Sequence, residues 1–385
     1  MEIQYFFSDQ KGDFPAGPDE LKRPFLIAPL RPHPSLVLKD YFDAIRDFLI
    51  KDAGTRLIPV LNERLGKDIC FDDIIKILIR TEKHGVLYHL ASVEIFPGDA
   101  PITLSVSVAV SEKSRAWLVH EADVLDSLYK KYKLQYLPRA YFMGEIKLKR
   151  DTLKESMYML AADWFEGFHE WHLSVDNAGG KQKISIWDLE KGYGFASRSE
   201  TYEIFKQASK ILALYYDTKN FCQIYPWHHA AGDFVVKKHG SSIEVKLTTA
   251  RRYDSVMVFL EEESLNPAIA LIYFFLNLTI KMRLDKLDGT GEVAWADDLS
   301  VQAAIEGFFE ALLVMDSEGR YQLGNVGDLL SLLKSFKPDE IEKLFHSLSD
   351  LFQKEDPADF SVILHNMKDH VLQLYEGIQK FQLLQ

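Results

Sequence analysis

Two short runs hold most of the residues suited to chemistry. Ile224–Val236 reads IYPWHHAAGDFVV, which sets His228 and His229 shortly before Asp233. An imidazole titrates near neutral pH and can take a proton from a hydroxyl, while a nearby carboxylate can hold a divalent cation. Two imidazoles and a carboxylate are also a ligand set for zinc or iron. On an extended segment adjacent side chains diverge, which sets His228 and His229 on opposite sides. Loop hydrogen bonding uses the same residues, and Asp233 after Gly232 serves equally as a turn cap. The second run is Glu166, His169, Glu170 and His172, following Asp163. On a helix Glu166, His169 and Glu170 share a face; on a strand Glu170 and His172 do. The run lacks the H-E-x-x-H order of zinc proteases. Trp164, Phe165, Phe168 and Trp171 interleave with it, either to stack a flat ligand or to fill a junction. Arg251-Arg252, Lys237-Lys238 and Lys246 form the concentrated basic set, suited to a phosphate or carboxylate or to a solvated face. Gly289-Thr290-Gly291 lacks the spacing of a phosphate loop.

Composition bounds what these residues can serve. The chain has 385 residues, with 45 Lys+Arg against 57 Asp+Glu and a net charge of -12. Hydrophobic residues at 47% exclude a disordered chain, and the length suits two domains. The acidic balance argues against a nucleic-acid partner, since cationic surface supplies most of that affinity. Cys70 and Cys222 lack metal or redox spacing and are expected as reduced thiols. The opening MEIQYFFSDQKGDFP has no basic-then-apolar pattern of a secretory signal. The most apolar run, Ala268–Ile280, is too short for a bilayer and predicts a buried helix. A cytoplasmic protein with no membrane partner is expected.

Hydrophobic periodicity supplies the elements. A strand-like start leads into the Pro-punctuated strap PFLIAPLRPHP, then a helix from a Ser35 cap to about Lys51 and a second over about Arg56–Leu65. Lys76–Arg80, Val86–Phe96 and Ile102–Val110 alternate as strands, with a turn at Glu82-Lys83-His84-Gly85. Leu104, Val106, Val108 and Val110 share one face of the third. Lys113–Tyr132 is a helix with Leu118, Glu121, Leu125 and Leu128 in one stripe, and strands over about Arg139–Leu148 and Met157–Trp164 complete an antiparallel sheet of five. Beyond Trp164 a hairpin turns at Asn177-Ala178-Gly179-Gly180 and returns through Lys183–Asp188. A long helix covers Glu200–Tyr216, and Ser242–Leu247 pairs with the strand after the His228 loop. The acidic triplet Glu261–Glu263 precedes helices over 267–284, 298–314, 325–335, 338–353 and 358–382. The fold class is α+β: residues 1–73 as strap and helices, 74–164 as a sheet domain, and 165–385 as a mostly helical domain.

This order resembles a bilobal kinase-like fold, in the branch of aminoglycoside and choline phosphotransferases. Lys113–Leu128 looks like the helix whose Glu pairs a phosphate-binding Lys, with Glu121 at that position. Leu137-Pro138-Arg139-Ala140-Tyr141 looks like the entry to the fourth strand. Met157–Trp171 looks like the fifth strand and hinge, and Ile224–Val236 like the catalytic loop. The likeness spans roughly residues 74–315 and rests on layout. It implies a ligand cleft with Glu121, Asp163, Phe165, Glu166 and Asp233, and ATP or another nucleotide with magnesium as cofactor. Phosphoryl transfer is mostly positioning and electrostatics, and needs a Lys, a base and metal-binding carboxylates. Asp233 falls on a metal-ligand position. His228 stands where the base Asp belongs, and Pro226 where the loop's first His belongs. Ser105–Ala109 (SVSVA) supplies no Lys, and Lys76, Lys83 or Lys113 would have to substitute. Leu247 or Thr248 replaces the second metal Asp, and a lone Gly85 replaces the glycine-rich cover. The reading is a degenerate kinase-like protein that binds a nucleotide-like or small polar ligand, or a protein partner. A working phosphotransferase with His228 as base and Asp233 as metal ligand is the alternative. A His/Glu metal-dependent enzyme is the third.

Overall fold

The computed structural model describes residues 1–9, 12–28, 31–84, 88–98, 100–150, 153–176, 180–188, 192–240, 242–255, 266–355 and 357–383. The chain is of mixed α+β class and divides into two compact units, Met1–Lys131 with Pro138–Glu166, and Tyr132–Leu137 with Gly167–Gln385. The expected turn over 82–85 is strand as far as His84, whereas residue 85, residues 177–179 of the second expected turn and the triplet Glu261–Glu263 lie outside the described residues.

The first unit is organised by one sheet. Its strands are β1 (Glu2–Asp9), β2 (Gly12–Pro15), β5 (Lys76–His84), β6 (His89–Phe96), β7 (Ile102–Ala109), β8 (Ala140–Arg150) and β9 (Leu153–Asp163). They run in the order β2-β1-β5-β6-β7-β9-β8, so the five-stranded antiparallel sheet read from the sequence is a seven-stranded mixed one. The correction comes from the N-terminus: β1 lies parallel to β5, pairing Glu2 with Lys76 through Phe7 with Thr81, and β2 folds back on β1. The proline strap is itself a hairpin, β3 (Pro24–Ala28) and β4 (Arg31–Val37). Helix α1 (Leu38–Gly54) starts later than Ser35 predicts, because Asp40 reaches back to the Val37 N–H at 2.9 Å. With α2 (Leu57–Leu65) it covers one sheet face: Tyr41, Phe42, Ile45 and Phe48 pack on Ile77, Ile79, Val93, Leu104, Val106 and Val108. Helix α3 (Glu112–Tyr132) contributes Leu118 and Ala122 to a smaller core with Ala109 and Leu160.

The second unit carries more strand than the helical domain expected. β10 (His169–Asp176), β11 (Lys181–Asp188), β12 (Gly192–Phe195), β14 (Phe234–His239) and β15 (Ser242–Leu247) make one sheet, ordered β12-β11-β10-β14-β15. Two hairpins visible in the sequence become one sheet because His169 and Glu170 of β10 pair with Val236 and Val235 of β14. Two further pairs are small: β13 (Cys222–Ile224) with β16 (Tyr253–Ser255), and β17 (Leu284–Lys286) with β18 (Val293–Trp295). Helix α4 (Arg198–Leu214) begins at a capping box, Ser197 Oγ accepting from Glu200 N–H while Glu200 accepts from Ser197 N–H. Helix α5 (Pro267–Lys281) is buried over most of its length, as its apolar run predicts. Helix α6 (Asp298–Ser317) packs on α4 where Gly307 meets the Lys206 carbonyl; a Cβ there would sit 2.0 Å from that oxygen. Helices α7 (Val326–Ser335), α8 (Pro338–Ser347), α9 (Ser349–Glu355) and α10 (Phe360–Lys380) follow. The single helix read over 338–353 is two, divided at Leu348. No helix of the described residues is long and apolar enough to cross a membrane.

Candidate functional site

The His228 loop is built from both sides. Upstream, β13 leads through the cis peptide bond Tyr225-Pro226 to Trp227; downstream, Gly232 takes φ 69° and delivers Asp233 to β14. A side chain at Gly232 would be strained in that left-handed region. Asp233 is 1% exposed, and both its carboxylate oxygens are engaged by Arg251, at 2.6 and 2.7 Å. One of them also accepts the His228 backbone N–H at 2.9 Å. A bidentate guanidinium with a backbone donor satisfies a buried carboxylate. A cation at Asp233 would have to displace Arg251.

His228 is equally committed. Its Nδ1 accepts from the Ala230 N–H at 3.0 Å, which leaves Nε2 as the protonated nitrogen, 3.1 Å from Asp359 Oδ2. Burial raises the Asp359 carboxyl, but the His228 bond and the charges of Lys281 and Lys286 outweigh it and hold the group below the usual carboxylate range. An imidazole oriented by a carboxylate is the geometry of a general base. Here the lone pair that would accept a proton already serves a backbone donor.

His229 points the other way, as an extended His-His pair requires. It is buried among Trp171, Trp227, Phe205 and Phe234, with ring centroids 4.5, 5.6, 5.9 and 5.4 Å away. Burial pushes its pKa down to about 3, so the ring is neutral, and neither nitrogen makes a hydrogen bond. Trp171 is 1% exposed and belongs to this core, which removes it from any stacking surface. Lys281, also buried, lies over the rings of Tyr225 and Trp227 at 5.7 and 6.0 Å.

The second run from the sequence is a strand from His169 onward. Glu170 and His172 share its face and stand 3.7 Å apart. Asp285 of β17 is fully buried; it accepts the Leu173 N–H at 2.7 Å and lies 3.5 Å from His172 Nδ1. Burial pulls the His172 pKa down, but Asp285 and then Glu170 overcome it and raise the value to about 9. His169 instead faces Asp188 at 3.8 Å. Among the described residues no group of three His, Cys, Asp or Glu is arranged to hold a metal ion. Asp285 carries no motif in the sequence; its carboxylate reaches β10 through the Leu173 N–H and the His172 ring rather than through strand pairing.

The remaining site residues lie in the first unit. Glu121, 6% exposed on α3, accepts a hydrogen bond from the Tyr88 hydroxyl. Asp163 accepts from Tyr141 Oη at 2.6 Å, from the Arg139 N–H at 3.0 Å and from Arg64. Phe165 is half-buried and Glu166 exposed, in the turn at Glu166-Gly167. The sheet face opposite α1 is polar: Arg80, Ser92 and Ser105 are directly paired neighbours across β5, β6 and β7. Arg80 bridges Asp13 and Glu94, each at 2.5 Å. Burial raises the Glu82 carboxyl on β5, with repulsion from Asp13 and Glu166, against the opposing bond from Ser92 and charge of Arg80. Periodicity places these side chains on one face, but their burial was not legible in it.

The basic set from the sequence is dispersed. Arg251 clamps Asp233, Lys238 pairs with Glu200 at 3.0 Å, and Lys246 with Glu244 at 3.0 Å. No family model matches the sequence, and no curated protein matches it either.

Proposed function

We propose that this chain is a degenerate kinase-like protein of the small-molecule phosphotransferase type, which binds a nucleotide-like or small polar ligand without efficient phosphoryl transfer. The Asp233–Arg251 clamp carries the reading. A metal-binding carboxylate needs free oxygens, and a buried bidentate guanidinium takes both. The engaged Nδ1 of His228 argues in the same direction against a base at that position. The absence of any Lys in Ser105–Ala109 supports a chain with no phosphate-binding lysine on that strand. The polar sheet face around Arg80 and Glu94 is the ligand surface of this proposal, and a small polar molecule there would compete with the pairs Arg80 makes with Asp13 and Glu94.

Thermal denaturation with ATP, with and without magnesium, tests the reading. The expected result is no magnesium-dependent shift, and an unchanged profile for Asp233→Asn beyond its own lowered starting temperature. A magnesium-dependent shift in the wild type that Asp233→Asn abolishes would overturn it in favour of a working phosphotransferase. Elemental analysis of the purified protein separates out the third possibility, since a stoichiometric transition metal would favour a metal-dependent enzyme.

A further inference from the structure

The two edges of the second unit's sheet are finished differently. At β15 the Gln207 side chain acts as a substitute strand: its Nε2 donates to the Ile243 carbonyl at 2.7 Å and its Oε1 accepts from the Val245 N–H at 3.0 Å. The Leu247 N–H is taken by the Tyr136 carbonyl at 2.9 Å. At the other edge, β12 has no neighbour beyond β11 among the described residues. It reads Gly192-Tyr193-Gly194-Phe195 and is exposed throughout, with Tyr193 at 67% and Phe195 at 44%. Edge strands that must stay single usually carry a charge, a proline or a bulge, and β12 has none of these.

Register identifies what the edge offers. Ala196 N–H donates to the Ile184 carbonyl, so in antiparallel alternation Gly194 and Gly192 also face β11 with their backbone groups. The N–H and C=O of Tyr193 and Phe195 therefore point outward. Both side chains stand on the face of Trp187, which stacks on Tyr193 at 6.1 Å between centroids and 17° between planes. A Cβ built on Gly194 meets nothing within 4 Å, so the opposite face of the strand is open.

We propose that β12 is the contact through which two copies of this chain associate, pairing antiparallel about a two-fold axis at Gly194. In that register Tyr193 of each copy lies opposite Phe195 of the other, and each pair exchanges both backbone hydrogen bonds. Aromatic residues meet aromatic residues across the new pair, and no charged residue of β12 meets its own kind. Gly194 faces Gly194 on the axis, where the lack of a side chain permits close approach. Self-complementarity selects a second copy over an unrelated strand, because one uncharged segment supplies both halves of an isologous contact.

Sedimentation equilibrium of the full chain, over about 1 to 500 µM for a contact this small, tests the proposal. The expected result is a concentration-dependent approach to twice the monomer mass. Phe195→Pro removes an outward N–H without touching the bonds to β11, and is expected to weaken association at least about tenfold. Tyr193→Lys, which puts a charge opposite Phe195, is expected to do the same, with the lost Trp187 stacking producing only a small drop in thermal unfolding of the dilute protein. Hydrogen exchange of the wild type gives an answer free of any folding defect: Tyr193 and Phe195 amides should gain protection as concentration rises. A chain that stays monomeric across the range, or a dimer in which those amides exchange freely, overturns the proposal. Neither outcome bears on ligand binding at the Arg80 face.

Discussion

The two units are stabilised by different physics. Buried polar side chains of the first unit are few: His89, Ser92, Ser114 and Glu121. Its sheet is held by aliphatic and aromatic packing against α1 and α2, and most of its ion pairs, such as Lys39–Asp43, are partly solvated. The second unit buries Asp233, Asp285, Lys281, Arg283, His229 and His370 in addition to its apolar helices. Apolar packing tolerates small changes and is indifferent to pH. A buried charge is costly once its partner goes. Perturbations of charge should therefore report most strongly on the second unit, while in the first the buried Glu82 carboxyl is the group that responds to pH.

The largest expected effect is steric. Gly307→Ala sets a Cβ against the backbone of α4, 2.0 Å from the Lys206 carbonyl oxygen, and should cost at least about 3 kcal/mol in urea unfolding. Gly66→Ala, in the first unit, meets nothing within 4 Å and carries only the penalty of its left-handed φ of 63°, about 1 kcal/mol. Equal effects would break the contrast.

Next is the clamp. Asp233→Ala leaves Arg251 and the His228 N–H without their carboxylate and should cost about 3 kcal/mol. Lys39→Ala, which removes a solvated pair in the first unit, should cost less than about 1 kcal/mol.

The pH profile follows from the two histidines, with opposite signs. His229 is lowered to about 3, so below its ordinary 6.5 the unfolded chain binds a proton that the folded chain refuses. Stability should fall by about 2 kcal/mol between that value and about pH 5, and His229→Phe should flatten this limb. His172 is raised to about 9, so its contribution is complete below 6.5 and disappears as pH rises through about 9. Tyr88→Phe removes one hydrogen bond to Glu121 and should cost about 1 kcal/mol. A flat pH profile in the wild type would remove the distinction between the units.

Local patterns were legible where one residue type repeats at a fixed period. The alternation of Leu104, Val106 and Val108 placed β7 with its apolar face inward, and the stripe of Leu118, Glu121, Leu125 and Leu128 marked the buried side of α3. Pro267 and the run after it located α5. The β1–β5 pairing was not legible, since Glu2 and Lys76 are joined only by a parallel register across intervening helices. Nor was β12, whose Gly-aromatic alternation is too short to separate from a loop.

The candidate site divides in the same way. The sequence put His228, His229 and Asp233 on one short loop, and chain geometry alone required the adjacent imidazoles to diverge. Which partner each would meet depended on segments far along the chain: Asp359 for His228, Arg251 for Asp233, an aromatic box for His229 and Asp285 for His172. Residue types and spacing determine the protonation chemistry that a side chain can offer. Only tertiary contact decides whether its lone pairs and charges are free, because hydrogen bonds and burial are set by whatever folds against it.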